Sequence, residues 1–214
     1  MKICFISDTH NQHKSVKIEK CDIIIHAGDF CNFGKDYEAE EFFNWFSSLN
    51  QCQHKVFIPG NHDRVLELAP KYIASIIPNN IVYLNNKGIT INGLKLYGTP
   101  AQPEFYNWSF NYPETFLYNF WNLIPANIDI LITHCPPYGI RDPNFKKESV
   151  GSPSLLNCVK NRIKPKYHVF GHLHQGYGME QQDDIIFINA ALTNDNYKLI
   201  NPPIYIDILK KSEA

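Results

Sequence analysis

Five short apolar runs, "KICFIS", "CDIIIH", "HKVFIP", "IDILIT" and "KYHVFG", each give way at once to Gly, Asn, Asp or His. Runs of this length, β-branched or aromatic almost throughout, are the pattern of strands covered on both faces. Asp8-Thr9-His10 follow the first run and Gly28-Asp29 the second. Gly60-Asn61-His62-Asp63 follow the third, His134 the fourth, and Gly171-His172-Leu173-His174 complete the set. In open α/β sheets ligands bind beyond the carboxyl ends of the strands, so these endings are expected to converge although they span most of the chain.

Between the runs lie helical patterns. In "DYEAEEFFNWFSSLN" the apolar Phe42, Trp45, Phe46 and Leu49 recur at i, i+3, i+4 and i+7, one buried stripe. "SPSLLNCVKNRI" opens with Ser152 as cap and Pro153 in the first turn, and sets Leu155, Leu156, Val159 and Ile163 on one side. "GITINGLKLYG" reads as a hairpin turning at Asn92-Gly93, and "DIIFINAAL" and "PPIYIDIL" as late strands, so the sheet is expected to be mixed. The Pro-rich stretches at 100–113 and 136–143 read as long surface loops, where function tends to reside. One α/β domain over 1–214 is expected from the length.

Lys and Arg number 20 against 21 acids. The resulting net charge of −1 offers no field for a long nucleic acid or an anionic membrane. The N-terminus lacks the apolar length and cleavage site of a signal peptide, and no run reaches transmembrane length. Six cysteines are scattered without C-x-x-C spacing, which reads as free thiols in a cytoplasmic protein. Cys135 follows His134, but sequence neighbours in a strand face opposite ways, so a nucleophilic pair is the weaker reading there.

Taken singly, each polar ending has a structural explanation: a turn dipeptide or a satisfied core histidine. Jointly they supply oxygens from Asp8, Asp29 and Asn61 and imidazoles from His10, His134, His172 and His174. These are too many donors for one tetrahedral ion and suit two, with a carboxylate such as Asp29 bridging ions ~3.5–4 Å apart. Extended backbone would turn residues two apart to one side, so Asp8 with His10, and His172 with His174, are expected each to face a common cation. Mixed N/O donors without thiolate favour Mn²⁺, with Fe and Zn²⁺ as alternatives, over a Ca²⁺ or Mg²⁺ cage.

"DTH", "GD", "GNHD", "TH" and "GHLH" in this order resemble the calcineurin-like metallophosphoesterase superfamily. "GTPAQPEFYNWSFNYPE", "THCPPYGIRD", "VGSPSLL", "HVFGHLHQGYG" and "NPPIYID" are similar to its small metallophosphodiesterase branch, which includes the fetal-brain-type proteins. The resemblance implies a four-layer α-β-β-α sandwich with two mixed sheets and a dinuclear site. Asp8, His10 and His174 would hold one ion, Asn61, His134 and His172 the other, with Asp29 between them. It also implies hydrolysis of small phosphodiesters, cyclic nucleotides among them. Cys135 stands where close relatives often have Gly, which is expected to narrow the mouth of the site slightly.

The chemistry expected is in-line attack on phosphorus by hydroxide generated between the cations. His62 would give the leaving oxygen its proton, and Asp63 would orient His62 and keep it protonated. His26 reads as buried and hydrogen-bonded, and His13, His54 and His168 as structural or exposed. Phe105, Tyr106, Trp108, Phe110 and Tyr112 either stack a nucleobase or plug the fold, and Arg141 is a candidate phosphate contact. A phosphomonoesterase or protein phosphatase would use the same ions. A non-catalytic scaffold would be expected to have lost donors that this chain retains.

Overall fold

The computed structural model describes residues 1–208. In chain order its strands are β1 (Lys2–Ile6), β2 (Cys21–His26), β3 (Cys52–Phe57), β4 (Val82–Tyr83), β5 (Lys87–Ile91), β6 (Leu94–Thr99) and β7 (Gln102–Pro103). Then follow β8 (Asn111–Tyr112), β9 (Ile130–Thr133), β10 (Tyr167–Phe170), β11 (Gly178–Gln182), β12 (Ile185–Asn189) and β13 (Ile204–Asp207). The helices are α1 (Asp36–Ser47), α2 (Val65–Leu68), α3 (Pro70–Ile76), α4 (Glu114–Leu123) and α5 (Pro153–Cys158). The run "PPIYIDIL" supplies β13, and its last residue, Leu209, lies outside the described residues with 210–214.

One sheet has the order β13-β1-β2-β3-β4 and the other β11-β12-β10-β9-β6-β5. Within them β1 to β4 run parallel, as do β6, β9, β10 and β12, while β13, β5 and β11 pair antiparallel at the edges. Both sheets are therefore mixed, as expected. Every parallel strand of both sheets ends at the same rim. There Ser7, just past β1, bridges Ala191, just past β12, and so joins the two sheets.

Three apolar cores separate four layers. Phe30, Phe42, Phe43, Phe46 and Phe57 pack between α1 and the first sheet, with Phe30 and Phe42 stacked at 3.9 Å. Ile3, Phe5, Ile25, Val56, Ile132, Val169 and Ile188 fill the space between the sheets. Leu117, Trp121, Leu155, Val159 and Phe187 pack α4 and α5 on the outer face of the second sheet. Alternate residues of one strand enter different cores, as Cys4 and Ile6 against Ile3 and Phe5 do, which is why the runs are apolar on both faces.

Local signals act as read. Ser152 Oγ accepts the Leu155 amide at 3.1 Å and caps α5, with Pro153 in its first turn. Asn92 (φ 49°) and Gly93 (φ 79°) take the paired left-handed geometry of a type I′ hairpin turn between β5 and β6. In α1 Phe43 is buried where the stripe assigns Trp45, which is only partly covered, because the stripe is broad. The sequence reading assigns no helix to 114–123, yet α4 forms there and buries Leu117 and Trp121, an i, i+4 pair.

Candidate metal centre

The donor-bearing turns are fastened to one another by their backbones before any side chain is considered. Asp8 N–H donates to Gly28 O at 2.9 Å, His10 N–H to Asp29 O at 3.1 Å, and Asn11 N–H to Phe30 O at 2.8 Å. Gly171 N–H donates to His134 O at 3.1 Å. Asp8 (φ 53°), His10 (φ 40°), Asp29 (φ 58°) and His172 (φ 68°) are all left-handed, a conformation in which Asp, Asn and His are enriched among non-glycine residues. These donors are thus aimed by sharp turns, and the expected extended alternation does not apply to them.

The consequence is a different sharing of donors. Asp8, His10 and His174 form one group, and Asp29, His134 and His172 another, with the ligand atoms of each within 4.8 Å of one another. His172 and His174, expected to face a common cation, fall in different groups instead, since the backbone turns at His172. Asp8 and His10 do fall in one group. In the first group His10 Nε2 lies 3.3 Å from His174 Nε2, and His174 Nε2 3.4 Å from Asp8 Oδ1. In the second, His134 Nε2 lies 3.2 Å from Asp29 Oδ2 and 3.1 Å from Asn61 Oδ1. Asp29 also clusters with His10 and His62, which sets it between the two groups.

Glycines make this density possible. A Cβ at Gly60 would stand 2.2 Å from Asp29 Oδ1 and 2.5 Å from His134 Cε1, and one at Gly171 2.0 Å from Asp8 Oδ2. Each "G" of "GN" and "GH" is therefore the space into which a donor from another turn projects.

The outward ring nitrogens are held by backbone carbonyls. His10 Nδ1 meets Cys31 O at 3.1 Å, His134 Nδ1 meets Ala27 O at 2.8 Å, and His174 Nδ1 meets Asn194 O at 3.0 Å. A carbonyl can only accept, so the hydrogen bonds place a ring proton on Nδ1 and leave Nε2 facing the donor cluster. Burial lowers His10 to about 4 and His172 to about 3, keeping both in the neutral, metal-binding form. Burial also opposes the charge on His134, yet the Asp29 carboxylate outweighs it and raises that imidazole to about 9. Asp8 and Asp29 are held below the usual carboxylate range against their burial by His174 and His134 respectively. Imidazole nitrogens and carboxylates packed together without Lys or Arg among them are the donor set that divalent cations fit.

His62 stands beside both groups, a ring nitrogen within 4.8 Å of donor atoms of His10 and Asp29. Its Nδ1 is 2.6 Å from Asn32 O, its amide donates to Asp29 Oδ1 at 2.8 Å, and Trp108 stacks on its ring at 4.1 Å. Asp63 does not orient it. The Asp63 carboxylate accepts the amides of Gly60 (2.7 Å), Asp29 (2.9 Å) and Cys31 (2.8 Å), because its side chain turns under the loop. It locks the second and third turns together, and burial with the nearby Asp29 charge pushes its carboxyl up to about 8.

Other expectations are redistributed. His26 is buried between Thr9 Oγ1 (3.1 Å) and the Gly28 amide (3.2 Å), and His13 and His168 are buried. Cys135 does not narrow the site: it packs in the outer core of the second sheet with Sγ toward Ala101 O. Arg141 donates to the carbonyls of Tyr177 and Met179 and pairs with Glu180, so it braces β11. The aromatic loop divides: Phe110 is a buried plug, Trp108 reaches His62, and Tyr106 is exposed.

Asn32, Glu38, Asn194 and Tyr197 were not singled out by sequence. Glu38 is buried in α1 and accepts the amides of Phe33 and Lys35, shaping the loop whose Asn32 carbonyl aims His62. Its position three residues into the helix is the signal that could have marked it.

The sequence profile of calcineurin-like phosphoesterases matches residues 1–176. Metallophosphoesterase domain-containing protein 1 of Homo sapiens is 38% identical over 95% of this chain and 69% of its own length. UPF0046 protein T07D4.2 of Caenorhabditis elegans is 36% identical over 95% of this chain and 59% of its own. A solved crystal structure with 16% identity matches in fold at a TM-score of 0.67, over 88% of this chain and 89% of that one. Two mixed sheets between helical layers, convergent turns that carry candidate metal ligands and these matches together show that the chain belongs to the calcineurin-like phosphoesterase family.

Proposed function

We propose that this chain is a dinuclear metal-dependent phosphodiesterase acting on small diesters, cyclic nucleotides included. The observation that carries the reading is the pair of donor groups with Asp29 between them and His62 at their margin. Two divalent ions held there, Mn²⁺ first and Fe or Zn²⁺ as alternatives, would acidify water and neutralise phosphoryl oxygens. Asp8, His10 and His174 would hold one, Asn61, His134 and His172 the other, and Asp29 both.

The remaining work belongs to His62. With Nδ1–H donated to Asn32 O, Nε2 is the atom left to hand a proton to the leaving oxygen. Trp108 against its face fixes the ring plane, and the Asp29 carboxylate anchors its backbone. Asp63 acts on this chemistry only through the turn it ties. Six free, buried thiols support a cytoplasmic setting.

The test is metal analysis of the purified protein, then turnover of bis-aryl and mono-aryl phosphates with Mn²⁺ before and after chelation. Diester turnover lost on chelation and restored by metal supports the reading. Faster monoester turnover would favour the phosphomonoesterase or phosphatase alternative, and full occupancy without turnover the scaffold. His62→Ala is expected to lower kcat about 10²- to 10⁴-fold with metal content unchanged.

A further inference from the structure

The loop 193–199 is contributed by sequence beyond the part of the chain that the family profile matches. It closes on itself through a Thr193–Leu199 bridge and an Asn194 side chain that accepts the amides of Asn196 and Lys198, both at 3.0 Å. It also reaches into the metal centre at three points. Thr193 Oγ1 donates to Asp8 O at 2.9 Å, Asn194 O accepts from His174 Nδ1 at 3.0 Å, and Tyr197 lays its ring among the histidines.

Tyr197 stands 4.7 Å from His10, 5.7 Å from His174 and 5.9 Å from His62, between ring centroids. Its plane is steeply inclined to all three, at 89°, 86° and 62°. The backbone there is left-handed at φ 55°, and Gln12 Nε2 holds its carbonyl at 2.6 Å, so the ring is posted on a fastened turn. It is nevertheless 46% exposed, and none of the hydrogen bonds among the described residues involves its hydroxyl. A large aromatic surface fixed beside His62 and half open to solvent has area left for something else to cover.

We infer that Tyr197 is a substrate-specificity residue whose ring packs against the ester group leaving toward His62, so that planar aromatic leaving groups are preferred over small alkyl ones. This rests on the phosphodiesterase reading for the role of His62. An oxygen receiving its proton from His62 carries its substituent past the rings that flank His62. Trp108 is one of these, already stacked on the imidazole, and Tyr197 is the other. Stacking or edge contact with a planar group stabilises it without demanding a particular hydrogen-bond pattern.

The test compares wild type, Tyr197→Phe and Tyr197→Leu, all loaded with Mn²⁺, using phenylphosphonate and methylphosphonate as probes that cannot be hydrolysed. Calorimetry is expected to show wild type and Tyr197→Phe binding phenylphosphonate about tenfold more tightly than methylphosphonate, a step of about 1.4 kcal/mol. Tyr197→Leu should erase that preference while methylphosphonate affinity and Mn²⁺ content stay as in wild type. An equal affinity of wild type for both probes, or a preference surviving in Tyr197→Leu, overturns the inference. So does a loss of Mn²⁺ from Tyr197→Leu, since the ring would then be a support of the metal centre. Failure of the Mn²⁺-loaded wild type to hydrolyse any diester would count against the phosphodiesterase reading alone, because the binding preference is read without turnover.

Discussion

Gly60 shows how little freedom single residues have at this centre. Its missing Cβ is the volume that Asp29 Oδ1 and His134 occupy, and neither can withdraw without leaving its donor group. Gly60→Ala is therefore expected to cost about 1–3 kcal/mol in urea unfolding, the range for overpacking a filled site, and to lower bound metal below two ions per chain. The buried histidines outside the centre set a second constraint. Among the described residues no hydrogen bond reaches either ring nitrogen of His13 or Nδ1 of His168, and burial lowers the two rings to about 4 and about 3. Above the unfolded value of about 6.5 both states are neutral and these groups add no pH dependence. Below it the unfolded chain takes up protons the folded one refuses, so stability falls by about 1.4 kcal/mol per pH unit for each histidine until the folded values are reached. Urea midpoints from pH 7 to 5 should show that fall, and His13→Leu should make it shallower by one histidine's share. Much of this scale is legible in sequence, because Asp, Asn and His after an apolar run declare their chemistry by identity. What aims them is not: Ala27, Cys31, Asn32 and Asn194 act through carbonyls that every residue carries.

Elements were readable where a local rule has a chemical cause. The Asn92-Gly93 turn and the Ser152 cap both stand as read, since positive φ and an orphan amide select few residue types. Ser152 carries more than a cap, for its hydroxyl also meets the Glu114 carboxylate at 3.0 Å and so ties α5 to the start of α4. Ser152→Ala is expected to cost about 1–2 kcal/mol, toward the upper end for a lost cap, while Ser152→Thr should recover most of it. Thermal unfolding of the two variants measures both. The i, i+2 argument failed at His172-Leu173-His174, and at Asp8-Thr9-His10 its outcome holds without extended backbone, because strand geometry stops before the motifs begin. Turns take over there, and their dihedral angles are fixed by bonds to other turns.

Across the whole molecule, each donor group draws on both sheets. Asp8 and His10 follow β1 while His174 follows β10, and the Asp29 and Asn61 turns of one sheet meet His134 and His172 of the other. A cation bound here would thus bind the folded chain far better than the unfolded one. Raising free Mn²⁺ to about a hundred times its dissociation constant should add about 2.7 kcal/mol per ion, which for a domain of this size is a rise in Tm of about 5–10 °C. Scanning calorimetry with and without chelator reads it, and a Tm indifferent to chelation would contradict the assignment. Strands covered on both faces followed from the apolar runs and the four-layer order from the family resemblance, whereas the helix over 114–123, "ETFLYNFWNL", was not assigned although six of its ten residues are apolar or aromatic.

The partners Asp8 and His172, and likewise His10 and His174, are 164 positions apart. A ribosome builds the chain from its amino end, so a nascent polypeptide that has exposed everything up to His134 still has neither triad closed. Closure of either triad around an ion would therefore wait until Gly171–His174 has been made, and a truncation halting before Gly171 is expected to bind fewer divalent ions than the full chain when both are titrated.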